Sequence, residues 1–562
     1  MARADDEIQS PGAGPGFFRE EKEAVRQRPL SGWQHWQMRD GLVGALLLVL
    51  ALGFNCYRLG NPSIWFDEAF SVELARQPLP LLWRVIFGPE PNMELYYLFL
   101  HFWLDLTKAL GLHATEVVVR LPSAIFAALS TVIVFALGWR FLGLLPASVA
   151  ALLFLLNDAQ LIYAQQARSY SLQMLLLCLA WYALLAALTD ERRSLRYWAG
   201  YVLAMTLAIY AHLFSVLVLC AQICVAGGLL LLPGEWRLQV RQRVRTLLIS
   251  LILIGGLSVP LLLLSLRGAK TGWLPSPAPG DVVRLFYAFS GYNKPYVIAL
   301  VFCCLLSVLC IALIYFTRQH GRRSVEGEQV PAVRNLAILN PSAAPVLPGW
   351  SLLCWSIVPL VASYVVSQGQ TRLFSARYLV VIVPALFLLV GLLFACLRSR
   401  VVKSGLALLL IGLALTAVPY YYASAQVEDW NTTVPWMQQR YQPGDGLVCY
   451  DNTFNGSTMQ GCQIAVEYYL HAYPDGTHFT SDTPGAFSWE QYRTAEPEAA
   501  LDPAELSAFA ARHPHIFFIV GRVHDEAGSQ RVQQAQQWLA GHYHLLGKVE
   551  TRTVTIYWYA TR

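Results

Sequence analysis

Long apolar runs recur along this chain and limit what it can become. They fall at about 40–59, 118–139, 145–162, 169–189, 196–211, 213–232, 246–266, 295–317, 350–367, 378–397 and 404–422. Wound as a helix, ~20 such residues cross the ~30 Å hydrocarbon layer of a bilayer. About eleven of them predict a mainly α, polytopic membrane protein. The composition agrees: 56% of the 562 residues are hydrophobic and 14% charged, which excludes a soluble globular chain. Most of the eleven cysteines sit inside apolar runs and read as small hydrophobes. No Cys/His cluster has metal spacing.

Charge assigns the sides. Arg192, Arg193 and Arg196 form one basic cluster, and Arg237, Arg241, Arg243 and Arg245 a second. Arg318, Arg322, Arg323 and Arg334 form a third, and Arg398, Arg400 and Lys403 a fourth. Basic residues in short loops favour the cytoplasmic side. All four clusters lie there if the N-terminus is cytoplasmic and the doubtful segment 92–110 does not cross. Within that segment Glu94, His101, Asp105 and Lys108 share one helical stripe. Tyr96, Phe99, Leu100, Trp103, Leu106 and Leu110 face the other way, which predicts an interfacial amphipathic helix. The expected organisation is a flexible cytoplasmic tail over 1–38 without a signal peptide, a membrane domain over 39–422 with its first outer loop at 60–117, and an extracytoplasmic domain over 423–562.

From Asp429 onward, turn residues separate short apolar runs from helical patterns. Leu447–Tyr450, Ile516–Val520 and Val554–Tyr559 read as strands. Thr433–Tyr441, Ile464–Ala472, Pro503–Arg512 and Gln530–Leu539 read as helices, giving a small α/β domain. Its two cysteines, Cys449 and Cys462, are open to pairing or to remaining free.

Chemistry concentrates outside the membrane. Asp67 and Glu68 stand together just after the first span, in SIWFDEAFSVE. On the same side lie Glu90 and Glu94, and the bases Arg120, Arg168, His212, Lys270, Arg284, Lys294, Arg372 and Arg377. A carboxylate can accept a hydroxyl proton, and guanidinium groups can hold and neutralise a phosphate. Any one of these arginines could equally be a headgroup anchor at a span end. The net charge of +5 adds little, and no nucleic-acid partner is expected.

Six motifs occur in order: WFDEAFS at 65–71, PNMELYYLFLHFW at 91–103, VRLPSAIFAALS at 119–130, IYAQQARSYSL at 162–172, YAHLF at 210–214 and ARYLVVIVPAL at 376–386. Together, over about 40–430, they resemble the GT-C superfamily of polyprenyl-phosphate-sugar-dependent glycosyltransferases. The likeness is to the bacterial glycosyltransferase family 39 group, related to protein O-mannosyltransferases and the lipid A aminoarabinose transferase. The resemblance implies an enzyme of the bacterial inner membrane that moves a sugar, with inversion, from a polyprenyl-phosphate donor to a hydroxyl of a glycan, lipid or protein. It makes Asp67 the catalytic carboxylate with Glu68 beside it and matches Arg120, Arg168 and Arg377 to family motifs; the donor phosphate is expected on some of Arg120, Arg168, Arg372 and Arg377. Glu90, Asn92, Glu94, Tyr97, Tyr170, His212 and Tyr378 are then expected around the substrate. Where many relatives read Pro-Pro-Leu-Tyr-Tyr, this chain has Asn92-Met93-Glu94-Leu95-Tyr96-Tyr97, a departure at the acceptor or metal side. Metal dependence stays open; Glu68, Glu94 and His212 are the candidate ligands for Mg²⁺ or Mn²⁺. The rival reading, a transporter or flippase of envelope glycolipids, calls for ionisable groups near the midplane or repeated halves, and neither is visible.

Overall fold

The computed structural model of the chain describes residues 37–90, 92–190, 194–231, 235–266, 271, 274–323, 346–452, 461–471, 479–480, 482–490, 496–523 and 525–561. The tail expected over 1–38 lies almost wholly outside them.

Helix α1 (Met38–Cys56) leads into a loop that carries α2 (Phe66–Arg76), α3 (Leu79–Ile86) and α4 (Glu94–Ala109). There follow α5 (Glu116–Leu142), α6 (Leu144–Leu155), α7 (Asp158–Ala164), α8 (Tyr170–Thr189), α9 (Ser194–Ala211), α10 (Ser215–Leu231) and α11 (Glu235–Ser265). The membrane part ends with α12 (Pro279–Phe289), α13 (Lys294–Arg323), α14 (Val346–Val366), α15 (Ala376–Leu379), α16 (Val383–Cys396) and α17 (Arg400–Ser424). Among the described residues, 8 helices are long and apolar enough to cross a membrane, with α15 and α16 counted as one; α6 and α7, bent by 59° at their junction, make up to 9. The two remaining expected runs form α9 and α10. Close packing relies on small residues, as it does between helices in lipid. A Cβ on Gly138 would lie 3.0 Å from the Ala147 Cα of α6.

The bend at Asn157 is held by polar groups that could not otherwise sit in an apolar layer. Asn157 caps α7 through the Gln160 N–H, and its own amide donates to the Phe289 carbonyl. Gln160 donates to Asn55, and Gln165 donates to the carbonyls of Asn55 and Tyr57. Tyr421 of α17 donates to Gln165 at 2.9 Å. Through these bonds the network fixes the path by which the chain leaves α1 for the first loop.

Segment 92–110 forms α4, whose 16 residues keep it off the set of candidate spans. Its polar and apolar faces differ from the expected ones: Glu94 is buried, while Leu106 and Leu110 are exposed. Helix α2 packs on α4, whose first turn is buried.

The C-terminal domain comprises α18 (Trp430–Gln438), β1 (Gly446–Tyr450), α19 (Gly461–Leu470), α20 (Pro503–Ala510), β2 (His515–Val520), α21 (Glu526–His542), β3 (His544–Glu550) and β4 (Thr555–Ala560). The sheet order is β1-β2-β4-β3; β1 runs parallel to β2, and β4 is antiparallel to both its neighbours. Both faces of β1 and β2 are covered. Val448, Tyr450, Ile516 and Phe518 pack with Leu506 and Leu539 of α20 and α21, while Leu447, Cys449, Phe517 and Ile519 join the core that continues into the membrane part. Cys449 and Cys462 form a disulfide.

Helix α19 lies against α2. There Glu73, fully buried, pairs with Arg76 at 2.8 Å, and His471 Nδ1 lies 3.1 Å from its other oxygen. Burial pushes its carboxyl from the ordinary 4.5 up to about 7, against the pull of Arg76. The folded protein therefore keeps a proton that the unfolded chain releases. This contribution to stability is full below pH ~4.5 and is lost as the pH rises to ~7, on the order of 3 kcal/mol. Melting temperatures recorded across that range should fall with pH in the wild type and fall less steeply in Glu73→Gln. An unchanged slope would show that Glu73 keeps its proton no longer than an exposed acid does. Buried Glu467, also pushed up to about 7, adds its own part to the slope in both proteins.

Candidate active site

Asp67 and Glu68 occupy the second and third positions of α2, where unpaired N–H groups and the helix dipole favour carboxylates. Successive residues on a helix point ~100° apart, and the two acids meet different surroundings. Glu68 is 1% exposed. Arg120 of α5 grips it twice, Nε to Oε1 at 2.8 Å and Nη2 to Oε2 at 2.7 Å. The Ala167 N–H donates to the same Oε1 at 2.7 Å. Arg120 gives its remaining N–H groups to the carbonyls of Leu59, Pro62 and Ser63. All five of its donors are used within the protein, and none is left for a phosphate.

Asp67 is the accessible member of the pair, its side chain 19% exposed. Arg377 of α15 lies 3.2 Å from Oδ2, and Arg168 lies 3.8 Å from the same atom. Its Oδ1 accepts no hydrogen bond from the described residues. Arg168 comes from the turn between α7 and α8. It is braced by the Ser71 hydroxyl and the Asp67 carbonyl, both at 3.0 Å. Arg377 stands over the Trp65 ring, 5.9 Å from its centre. Sequence therefore places two arginines, from segments far apart in the chain, on one carboxylate.

Aromatic rings wall this side. Tyr170 lies 4.7 Å from Tyr163 and 5.4 Å from His212 between ring centres, and Tyr378 stacks on Phe214 at 4.0 Å. His212, in the turn between α9 and α10, is fully buried. Its Nδ1 accepts the Phe214 N–H at 3.3 Å, which puts its proton on Nε2. Burial, with Arg168 and Arg377 nearby, holds it down to about 3, so it stays neutral. Tyr97 is buried within electrostatic reach of Arg168, Glu90, Asp67 and Glu94. Asn92 is half-buried at the approach to α4. Arg372 turns onto its own loop, donating to the Ser367 carbonyl, and makes no ion pair with Asp67. Lys270 lies outside the described residues.

Among the described residues no three His, Cys, Asp or Glu side chains converge as metal ligands. Glu68 is committed to Arg120, and the Nδ1 of His212 is committed to a backbone N–H. Trp65, Ser71 and Tyr163 are site residues that sequence reasoning did not assign; nothing in their local pattern separates them from interfacial aromatics and helix-face serines.

Beside α15, an apolar groove of about 1000 Å³ runs between α12, α13, α14 and α16. Phe286, Phe289, Phe302, Leu353 and Phe387 line it, and Arg284 and Lys294 stand on its wall.

These features define a polytopic membrane protein whose fold is of the GT-C type. The fold is similar to that of ArnT from Cupriavidus metallidurans in the apo state, with 13% identity and a TM-score of 0.56 over 93% of this chain and 98% of that one. It is also similar to the same protein bound to undecaprenyl phosphate, with 12% identity and a TM-score of 0.52 over 92% and 97% of the two chains. A family model described as dolichyl-phosphate-mannose-protein mannosyltransferase matches residues 98–261. No curated protein matches the sequence.

Proposed function

We propose that this protein transfers a sugar from a polyprenyl-phosphate donor to an acceptor hydroxyl at the outer face of the bacterial cytoplasmic membrane, with inversion. The observation that carries the reading is Asp67, a half-open carboxylate set between two arginines. Its free Oδ1 can accept the proton of an attacking hydroxyl. Arg377 and Arg168 can neutralise the charge that grows on the departing phosphate. One base and one phosphate leaving group suffice for a single displacement, so no second nucleophilic carboxylate is required. The groove along α16 suits a prenyl chain, with Arg284 and Lys294 facing the headgroup layer. ArnT, solved with undecaprenyl phosphate, shares the fold and supports this donor class. In this reading Glu68 and Arg120 fasten α2 to α5, while Arg168 and Arg377 meet the donor. The C-terminal domain is extracytoplasmic, because the four basic clusters then lie inside.

The test is transfer by the purified protein in nanodiscs, given a panel of polyprenyl-phosphate sugars and a membrane extract as acceptor. A labelled product identifies the sugar. No product with any donor, together with no binding of polyprenyl phosphate, would favour a transporter. Within the same assay, Arg377→Ala should weaken binding of polyprenyl phosphate by roughly tenfold or more, the worth of a charge-assisted hydrogen bond. Unchanged binding would remove Arg377 from the donor site.

A further inference from the structure

The residues just before Trp65 carry the chain into α2 with neither helix nor strand. Ser63 and Ile64 are nevertheless buried, at 2% and 0% exposure. Backbone groups in such a stretch have no ladder to join, so each needs a partner from elsewhere in the protein. Arg120 takes the carbonyls of Pro62 and Ser63. Other partners come from the C-terminal domain and the connection to it. Gln426, between α17 and α18, accepts the Ser63 N–H at 3.1 Å. Asn431 of α18 donates its side-chain amide to the Asn61 carbonyl at 3.2 Å and its main-chain N–H to the Ser63 hydroxyl at 3.1 Å. Tyr469 of α19 accepts the Ile64 N–H at 3.1 Å.

The Tyr469 hydroxyl has one proton, and Glu116 Oε1 receives it at 2.9 Å. Burial, with that carboxylate nearby, pushes the phenol above its ordinary 10, so the proton stays on the oxygen. The oxygen is left to accept from Ile64, with the Ser63 hydroxyl also 3.1 Å away. Glu116 opens α5, and Arg120 follows four residues later on the same helix face. The Ser63 carbonyl and the Ile64 N–H belong to one peptide group, which is planar. Arg120 holds its oxygen at 3.0 Å, and Glu116 holds its N–H through the phenol. Trp65 comes next and gives α2 no side-chain cap, so the helix start takes its direction from this plane. Tyr468, the neighbour of Tyr469, donates to the Ala114 carbonyl at 2.9 Å, a bond of the same domain outside 61–67.

We propose that Tyr469 is a positioning residue for Asp67: its hydroxyl, anchored on Glu116, holds the plane of the Ser63–Ile64 peptide group and so sets the direction in which α2 presents the carboxylate. The proposal rests on the reading of Asp67 as the base, but the clamp itself is tested without activity. In hydrogen exchange of the intact protein in nanodiscs, Tyr469→Phe should speed exchange of the proteolytic fragment covering 61–67 by roughly fivefold, the worth of one hydrogen bond. Fragments from α8 and α16 should be unaffected. In the transfer assay the same variant should lose kcat by roughly tenfold or more, as misaimed catalytic groups do, with KM for the lipid donor within about twofold. Tyr468→Phe, which also removes a docking hydrogen bond of the domain, should leave 61–67 unchanged and keep kcat within about twofold. Should Tyr469→Phe fail to fold, Glu116→Ala strips the phenol of its anchor and carries the same two measurements, with the same directions expected. Unchanged exchange at 61–67 in the folded variant overturns the proposal. So does full kcat per folded molecule, or a loss of kcat that Tyr468→Phe reproduces. A wild type inactive with every donor, in which Tyr469→Phe still speeds that exchange, would sink the transferase reading while leaving the clamp standing.

Discussion

Asp67→Asn is expected to lower sugar transfer by roughly 100- to 10,000-fold, the usual worth of a general base. The substitution keeps the size and shape of the side chain and removes its ability to take a proton. It should also leave the fold intact. The Asp67 side chain is 19% exposed, and its partner Arg168, at 9%, keeps neutral oxygen acceptors when the charge is lost. Arg168 retains its hydrogen bonds to the Ser71 hydroxyl and the Asp67 carbonyl, and Arg377 retains the Trp65 ring. Binding of polyprenyl phosphate should persist or tighten, because Arg168 and Arg377 lose a competing anion. The measurements are single-turnover transfer and lipid binding, wild type beside variant, in protein of matched melting temperature. Full turnover by the Asn variant would remove Asp67 from the base role. Loss of both binding and transfer would make it a structural acid.

Much of this architecture is legible in the sequence because its signals are long. Apolar runs of ~20 residues cannot hide, and all eleven expected runs are helical. Strands β1, β2 and β4 show as apolar runs, β1 and β2 because both their faces are covered. Strand β3 does not: His544–Glu550 is an edge strand with exposed Leu545 and Leu546, and its pattern is interrupted by Gly547 and Lys548. The acid pair is legible as a location, whereas the division of labour within it is not. Which of two neighbouring acids is buried depends on which neighbour α2 turns toward α5, and that is decided by residues more than 50 positions away.

Arg120→Met is expected to cost about 3–5 kcal/mol of stability, enough to remove most folded protein from the membrane. Met matches the length of the arginine stem, so the loss comes from the charge and its hydrogen bonds. Glu68 would be left 1% exposed with one N–H, from Ala167, in place of its bidentate partner. The carbonyls of Leu59, Pro62 and Ser63 would lose their donors at the same time, and with them the turn that delivers the chain from α1 to α2. Replacing both partners, Glu68→Gln with Arg120→Met, should recover part of the loss, since no unpaired charge then remains buried. Size-exclusion yield and melting temperature in detergent read these outcomes directly. They also separate the two roles open to this arginine from its motif. A phosphate ligand would give a folded Met variant with weakened donor binding and no rescue by Glu68→Gln. A structural clamp gives little folded protein, partial rescue, and near-normal donor binding in whatever folds, because the fork of Arg120 is spent on Glu68 and the backbone.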